Sequence, residues 1–278
     1  MSEAYKVISE IEKNHITQLT KKNLRIDGRD FNEFRSIEIE TDLITKAEGS
    51  AYVKLGNTHI IAGVKAITGE PYPDIPNEGV ITVNAELIPL ASPHFESGPP
   101  GEESIEVARV VDRGIRHSEI VDRTKLCIIP GKQVWIIFVD LYVLSYDGNM
   151  FDCGELAAVS ALLTTKIPNI EIKDDKIIAV GDKYNKDNWN YLPIQNLPTS
   201  ITIGKIANKL FIDPNENEER VLDARITLTI DEKNNIVSMQ KGAEGYFTPE
   251  EIQQAVHMVL EKSDTIRKLY PPKPVSNL

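Results

Sequence analysis

Three arginines in the segment 104–116 have the most informative spacing in the chain. Arg109, Arg113 and Arg116 are separated by four and three positions, so a helix over this segment places them on one face. Guanidinium groups hold phosphate oxygens through paired hydrogen bonds, and a row of them can follow a nucleic-acid backbone. The predicted apolar face on the other side contains Ile105, Ala108, Val111 and Ile115.

The alternative for these arginines is neutralisation by acidic neighbours on the same helix. Glu106 precedes Arg109 by three positions, and Asp112 precedes Arg116 by four, and both spacings permit an ion pair. Spacing alone leaves phosphate binding and local pairing both open. Arg123 is close in sequence, but the pattern does not define its orientation.

A group of five acidic residues is the second feature with chemical potential. Carboxylates bind hard cations, but the spacing here is not that of an EF-hand loop, because no glycine turn follows alternating acidic ligands. We therefore expect a solvated acidic loop without a metal. Asp223 differs from the others because it begins a predicted strand, and it stays a candidate. The group consists of Asp213, Glu216, Glu218, Glu219 and Asp223.

Other catalytic motifs are missing from the sequence. No two of the five histidines have the spacing of metal ligands on a helix face, so no transition-metal site is expected. There is no GxSxG elbow, Walker A loop or GxGxxG fingerprint, and the glycines of segment 97–101 adjoin prolines that lack amide donors. Serine hydrolases, nucleotide hydrolases and dinucleotide oxidoreductases are therefore excluded.

The surrounding pattern predicts strands followed by helices, twice. Short runs rich in Val, Ile and Thr between residues 36 and 90 predict antiparallel strands and hairpins, and a helix of about four turns follows. Segment 133–149 predicts a buried strand and 154–167 a core helix. The pattern restarts after residue 191 and ends in a helix with Thr248 as N-cap. We predict an α+β fold with two pseudo-repeated halves of mixed sheet packed with helices.

Composition predicts a packed protein with a locally concentrated positive charge. The chain has 278 residues, 41% of them hydrophobic, with 31 basic and 42 acidic residues and a net charge of −11. Any contact with nucleic acid must therefore be a local basic patch. Two cysteines favour a reducing compartment, and the N-terminal residues, where an amphipathic helix over 3–20 capped by Ser2 is predicted, do not form a signal peptide. We expect a cytoplasmic protein without a membrane helix.

Several motifs in order resemble the RNase PH superfamily. They run from residue 25 to about 260, and several together are more specific than any one alone. Within the superfamily the chain is most similar to the catalytically inactive RNase PH-type ring subunit of the archaeal exosome. The motifs are RIDGR (25–29), GSAYVKLGNTHIIAGV (49–64), NEGVITVNAELIPLASP (77–93), SIEVARVVDRGIR (104–116) and VDLYVLSYDGN (139–149).

Departures from the active members favour the inactive type. Active relatives carry basic residues before the helix that starts SIE, whereas this chain has Glu102 and Glu103, which repel an RNA backbone. Active relatives also have Gly-Thr-Arg after the Asp-Gly, where they bind the attacking phosphate, and here Asn149 and Met150 follow Gly148. Without a cationic clamp, phosphate cannot approach a phosphodiester, so no catalytic residue is expected. Asp223 is similar in position to the family's general acid.

The resemblance implies a division of the chain and a set of partners. The division is an N-terminal helical extension (1–24), a first half (25–168), a linker with a connecting strand region (169–191) and a second half (192–278). The implied partners are an active RNase PH-type subunit in a hexameric ring that is a trimer of heterodimers, RNA-binding cap subunits and single-stranded RNA. The partner would use inorganic phosphate for 3′-to-5′ RNA degradation, and this chain would have no cofactor of its own.

The resemblance also gives the arginines a role. Arg109 and Arg113 match positions that hold RNA phosphates beside the partner's active site, and Arg116 is a further candidate. The alternative is an autonomous phosphorolytic exoribonuclease of the RNase PH type, which Asp223 favours and Glu102 and Glu103 oppose.

Overall fold

The computed structural model describes residues 8–173, 176–180 and 186–276. Within these ranges no helix is long and apolar enough to cross a membrane. The α-helices are α1 (Glu10–Lys21), α2 (Glu102–His117), α3 (Met150–Thr164), α4 (Glu216–Glu219) and α5 (Pro249–Arg267).

The first sheet combines antiparallel hairpins with one parallel strand. Its strands are β1 (Ile37–Thr41), β2 (Gly49–Leu55), β3 (Thr58–Gly69), β4 (Val80–Leu87), β5 (Cys127–Ile129) and β6 (Gln133–Ser145). The order is β1-β2-β3-β6-β4, with β5 paired to β6. β4 pairs with β6 in parallel, so the prediction of only antiparallel strands between residues 36 and 90 is wrong for β4. The reason is the connection, because α2 carries the chain across the sheet before β6 begins.

The second sheet is an antiparallel sheet of four strands in the order β12-β11-β13-β14. Shorter strands lie between the sheets in sequence, where β7 pairs with β10 and β8 with β9. These strands are β7 (Lys166–Ile167), β8 (Asn169–Lys173), β9 (Lys176–Val180), β10 (Asn190–Tyr191), β11 (Thr199–Ile206), β12 (Lys209–Ile212), β13 (Ala224–Ile230) and β14 (Ile236–Gly242).

Helices α2 and α3 lie between the two sheets. α3 contacts β2, β3 and β11, and α2 contacts β4 and β14, so each helix touches both sheets. Nearly every side chain of α3 is buried, as the apolar segment 154–167 predicts. α5 packs on the second sheet and starts where predicted, at Thr248, whose hydroxyl accepts from the backbone of Glu251. The α+β fold is confirmed.

The buried face of α2 differs in part from the predicted one. Val111 and Ile115 are buried as expected, but Ile105 is 47% exposed and Ala108 is only partly buried. The helix is covered on two sides, by β4 and by β14, so its core face is wider than one stripe and includes residues that the pattern did not select. The buried residues are Ser104, Val107, Val110, Val111, Gly114 and Ile115.

The N-terminal helix begins later than predicted. Its N-cap is Ser9, whose hydroxyl accepts from the backbone of Glu12, while the predicted cap Ser2 lies outside the described residues. Ile16 is buried against Ile206 and Phe211 of the second sheet. α1 therefore packs on the second half of its own chain.

Candidate nucleic-acid interface

The three arginines of α2 do not form one continuous surface. Arg109 and Arg116 are exposed, and Arg116 forms an ion pair with Asp112, which confirms that predicted pair. Arg113 is partly buried and donates from Nη2 to Oε1 of Gln240 on β14, at 3.1 Å. Around the helix axis, Arg113 is rotated slightly away from Arg109 and Arg116. This rotation is enough to place Arg113 against the second sheet, while the other two arginines face away from that contact.

Arg109 and Arg116 line a groove between α2 and the edge strand β4. The groove has a volume of about 460 Å³, and its lining includes Tyr72, which follows β3. Arg123, from the one-turn helix Arg123–Leu126, lines the same groove. Three guanidinium groups therefore line one cavity, and only two of them belong to the predicted set.

The predicted pairing of Glu106 with Arg109 is wrong. Glu106 instead accepts from Nη2 of Arg225 on β13, at 2.7 Å. Arg225 also lies over the ring of Phe151 at the start of α3, 4.0 Å from the centroid. The second sheet supplies a cation to Glu106, and this leaves Arg109 without that competing carboxylate.

The N-terminus of α3 holds an internal carboxylate. The backbone N–H of Asn149, the N-cap of α3, donates to Oε1 of Glu219 at 3.0 Å, and the hydroxyl of Tyr146 donates to Oε2 at 2.7 Å. Helix N-termini attract anions because their amides are unpaired and the helix dipole is positive there. Burial raises the pKa of Glu219, and the charge of Arg225 opposes this shift. A carboxylate of the protein thus occupies the anion-attracting end of α3.

The expectation of a solvated acidic loop is also wrong. Asp213 and Glu218 are buried, and each is bound by arginines from the segment before β1. Arg25 donates to both oxygens of Glu218, at 2.9 and 2.6 Å, and Arg35 to both oxygens of Asp213, at 2.9 and 2.7 Å. Burial opposes the ionisation of Asp213, but hydrogen bonds and charge from Arg35 outweigh it and hold the pKa below its usual value.

This acidic cluster joins the two halves of the chain, and arginines neutralise its buried carboxylates. Arg35 also donates to the carbonyl of Asp147, and the side chain of Asn149 donates to Asp213 at 2.8 Å. Across the described ranges, no group of three or more His, Cys, Asp or Glu side chains has the arrangement of a metal site. The arginines before β1 supply the positive charge that a loop sequence read alone does not reveal.

Asp223 is separate from this cluster in its contacts. It is exposed, and its Oδ2 accepts from the backbone N–H of Ala207 at 2.8 Å. Ala207 and Asn208 both have positive φ, so the carboxylate stabilises the tight turn between β11 and β12. This contact gives Asp223 a structural role. The side chain of Asn149 also has structural contacts, because its amide donates to the carboxylates of Asp152 and Asp213.

Two family models match the chain in succession. The model of the 3′ exoribonuclease family, domain 1, matches residues 33–168, and that of domain 2 matches residues 196–262. Together they cover more than half of the chain. The chain belongs to the RNase PH family. This confirms the resemblance drawn from the motifs.

Relatives of this RNase PH protein are similar over almost their full length. The Exosome complex component Rrp42 of Thermococcus gammatolerans is 48% identical over 263 residues, which are 95% of each chain. The protein of the same name from Methanothermobacter thermautotrophicus is 48% identical over 256 residues, covering 92% of this chain and 93% of the relative.

Solved structures agree with this relation. The Archaeoglobus fulgidus exosome with RNA bound to the active site contains a chain that matches with a TM-score of 0.85 and 44% identity, covering 93% of this chain and 97% of that one. A chain of an archaeal exosome core matches with a TM-score of 0.82 and 40% identity, covering 95% and 98%. The RNase PH fold is therefore shared over both halves.

Proposed function

We propose that this RNase PH protein is a non-catalytic subunit of an archaeal exosome ring that helps to hold RNA during phosphate-dependent 3′-to-5′ degradation. The observation that carries the proposal is similarity at 48% identity, over 95% of both chains, to a protein named as an exosome component. Because the match covers 95% of both chains, the two proteins have the same domain arrangement.

Two features of the structure support the absence of catalysis in this chain. Glu102 and Glu103 are in the first turn of α2, and the carboxylate of Glu219 is at the N-terminus of α3. Orthophosphate and a phosphodiester are both anions, so phosphorolysis needs cationic groups that stabilise their approach. Glu102 and Glu103 add negative charge at the start of α2, and Glu219 takes up the amide at the start of α3, so neither helix N-terminus offers a cationic clamp. We therefore assign the use of inorganic phosphate to a partner subunit.

RNA binding is assigned to the arginines of α2. Arg109 is exposed, and the carboxylate of Glu106 is held by Arg225, so Arg109 does not have to leave that partner to bind a phosphate. Arg113 and Arg116 must leave Gln240 and Asp112 before they can bind a phosphate. The Arg116–Asp112 contact is an exposed ion pair of a kind worth only about 0.2 to 1 kcal/mol, and the Arg113 contact is one hydrogen bond to a neutral amide, so we expect RNA to displace both.

The proposed assembly is a trimer of heterodimers with an active RNase PH-type subunit, bound by RNA-binding cap subunits. Single-stranded RNA is the proposed substrate of the ring, and the cytoplasm is the proposed location. The second candidate function is an autonomous exoribonuclease, which the position of Asp223 favours. Two observations oppose an autonomous enzyme: Asp223 contacts the β11–β12 turn, and the carboxylate of Glu219 lies at the N-terminus of α3.

The experiment that tests this proposal compares the chain alone with a mixture of the chain and an active RNase PH-type subunit. Native mass spectrometry is expected to show a ring of alternating subunits only in the mixture. Release of nucleoside diphosphates from RNA in phosphate buffer is expected from the mixture and not from the chain alone. Release by the pure chain would establish the autonomous enzyme instead.

A second measurement tests the arginines in the assembled ring. Arg109→Glu and Arg113→Glu are each expected to weaken RNA binding in phosphate-free buffer and to reduce the slope of log K against log salt by about 0.7, one phosphate contact. Lys13→Glu on α1 is the matched control, because Lys13 is exposed and the charge change is the same. An unchanged slope in both variants contradicts the assignment.

A further inference from the structure

The groove beside Arg109 has the size and the lining of a site for one nucleotide. Its volume of about 460 Å³ lies within the range of about 300 to 1,000 Å³ that is typical of small-molecule sites. The floor is formed by the first residues of β4, and α2 forms one wall. The rigid elements on two sides make this a preformed cavity.

The cationic part of the lining comes from two separate elements. Arg109 and Arg116 come from α2, and Arg123 comes from the one-turn helix Arg123–Leu126. Guanidinium groups that converge from different directions can bind several oxygens of one phosphate. Arg123 extends the positive surface beyond the helix that carries the predicted arginines.

Acidic residues near the groove reduce its net charge without blocking it. Asp74 and Asp112 belong to the lining, Asp112 pairs with Arg116, and Glu78 pairs with Arg123 at 2.9 Å. The side chains of Arg123 and Glu78 are 29% and 31% exposed. Partly exposed pairs of this kind are weak, so a phosphate can compete for both arginines.

An aromatic ring completes the set of groups that recognise a nucleotide. Tyr72, which follows β3, lines the groove and is 54% exposed. Exposed aromatic rings beside positive charge bind single-stranded nucleic acids by stacking on bases, without preference for sequence. A tyrosine and three arginines around one cavity are the elements of such a site.

We propose that this groove binds one nucleotide of single-stranded RNA, with its phosphate on Arg116 and Arg123 and its base against Tyr72. The proposal rests on the proposed RNA-binding function and extends the RNA path beyond Arg109 and Arg113. The nucleotide in the groove is an additional binding subsite, and no chemistry takes place there.

The test uses the reconstituted ring in phosphate-free buffer with two fluorescent probes, an oligoadenylate and an abasic ribose-phosphate oligomer of equal length. Tyr72→Ala is expected to weaken binding of the oligoadenylate by about fivefold or more, the typical effect of one lost base stack, and to affect the abasic oligomer much less. Tyr72→Phe, which keeps the ring, is expected to bind the oligoadenylate more tightly than Tyr72→Ala.

Arg123 is tested on the same probes. Arg123→Gln is expected to weaken both and to reduce the salt slope by about 0.7, because a phosphate contact is lost regardless of the base. Lys13→Gln, which also removes one positive charge at an exposed position on α1, is the control for a distant charge. Native mass spectrometry of each variant ring establishes that the subunits still assemble.

The outcomes separate this inference from the proposed function. If Arg109→Glu weakens RNA binding but neither Arg123→Gln nor Tyr72→Ala does, the groove is not a subsite, and the proposed function stands. If none of the three has an effect, the groove is not a subsite and the RNA-binding role assigned to Arg109 is wrong as well, whereas membership of the ring is decided by the mass-spectrometry experiment. If Tyr72→Ala or Arg123→Gln prevents ring assembly, the groove is filled by a neighbouring subunit, and the nucleotide site is refuted.

Discussion

Glu155 allows a test of how burial between the two sheets affects the protonation of a carboxyl group. It lies on α3 in the layer between the sheets and is 1% exposed. Its Oε2 accepts from the hydroxyl of Ser200 on β11, and its Oε1 has no hydrogen-bond partner. Burial, followed by the smaller effect of Asp152, raises its pKa from 4.5 to about 8. The perturbation is Glu155→Gln, which keeps the shape and removes the charge.

The sign of the effect follows from where the proton is bound. Between pH 4.5 and about 8 the folded protein keeps the Glu155 proton and the unfolded chain releases it, so stability falls as the pH rises. Because the amide of the Glu155→Gln variant does not titrate, the wild type is expected to lose about 2 kcal/mol relative to that variant between about pH 6 and 8. At about 2 to 4 °C per kcal/mol, this is a relative shift in Tm of about 4 to 8 °C.

The assay is urea unfolding or thermal denaturation of both proteins at intervals from pH 5 to 9. Asp152, whose pKa burial raises to about 7, contributes its own loss of stability in both proteins, so the difference between them isolates Glu155. Glu244→Gln, which removes an exposed carboxylate, is expected to follow the wild type at every pH. A constant difference between the wild type and Glu155→Gln from pH 6 to 8 would refute a protonated Glu155 in the folded state.

Three further predictions concern the contacts that join the first half of the chain to the segment 213–219. Glu218→Gln leaves Arg25 buried without its carboxylate and is expected to destabilise the fold by about 3 to 5 kcal/mol in urea titrations. Gly148→Ala is expected to cost more than about 1 kcal/mol in the same assay, because φ is +79° and the added Cβ would lie 2.5 Å from the Asn215 carbonyl carbon. Glu219→Ala vacates the α3 N-terminus, so phosphate is expected to raise the Tm of the variant more than that of the wild type, relative to chloride at equal ionic strength. Equal shifts would contradict an anion site there.

The sequence pattern predicted the elements whose type can be recognised from local signals, such as a nearly continuous apolar run or a cap residue. α3 is apolar on all sides and is buried on all sides, and α5 starts at the Thr248 cap and Pro249 as expected. The residues of β4 form a strand, as their pattern predicted. Its parallel direction relative to β6 depends on the long connection through α2, which local periodicity does not encode. Element types were therefore predictable, and pairing across a long connection was not.

Contacts between residues far apart in sequence also could not be predicted at the candidate site. Glu218 and Asp213 occur in a polar segment, and only the fold brings Arg25 and Arg35 to them, from 193 and 178 positions away in sequence. The spacing of acidic residues alone therefore predicted a solvated loop. The signal that could have corrected it is the run of arginines before β1, which needs acidic partners if that segment is buried.

The arginines of α2 show how neighbours from other elements determine what a helical face can do. The positions of Arg109, Arg113 and Arg116 differ by less than about a quarter turn at roughly 3.6 residues per turn, yet β14 holds the second and the groove beside β4 receives the other two. Glu106, the neighbour predicted to neutralise Arg109, is held by Arg225 instead.

The net energy of a phosphate contact is the gain over the partner that it replaces. For Arg116 and Arg123 that partner is a carboxylate already in place, so each contact gives less than an unpaired arginine would give. An acidic chain with a net charge of −11 adds long-range repulsion. For the proposed RNA-binding role, we therefore expect cations from a neighbouring subunit to supply much of the binding energy, because two of the three arginines in the groove are already paired with carboxylates of this chain.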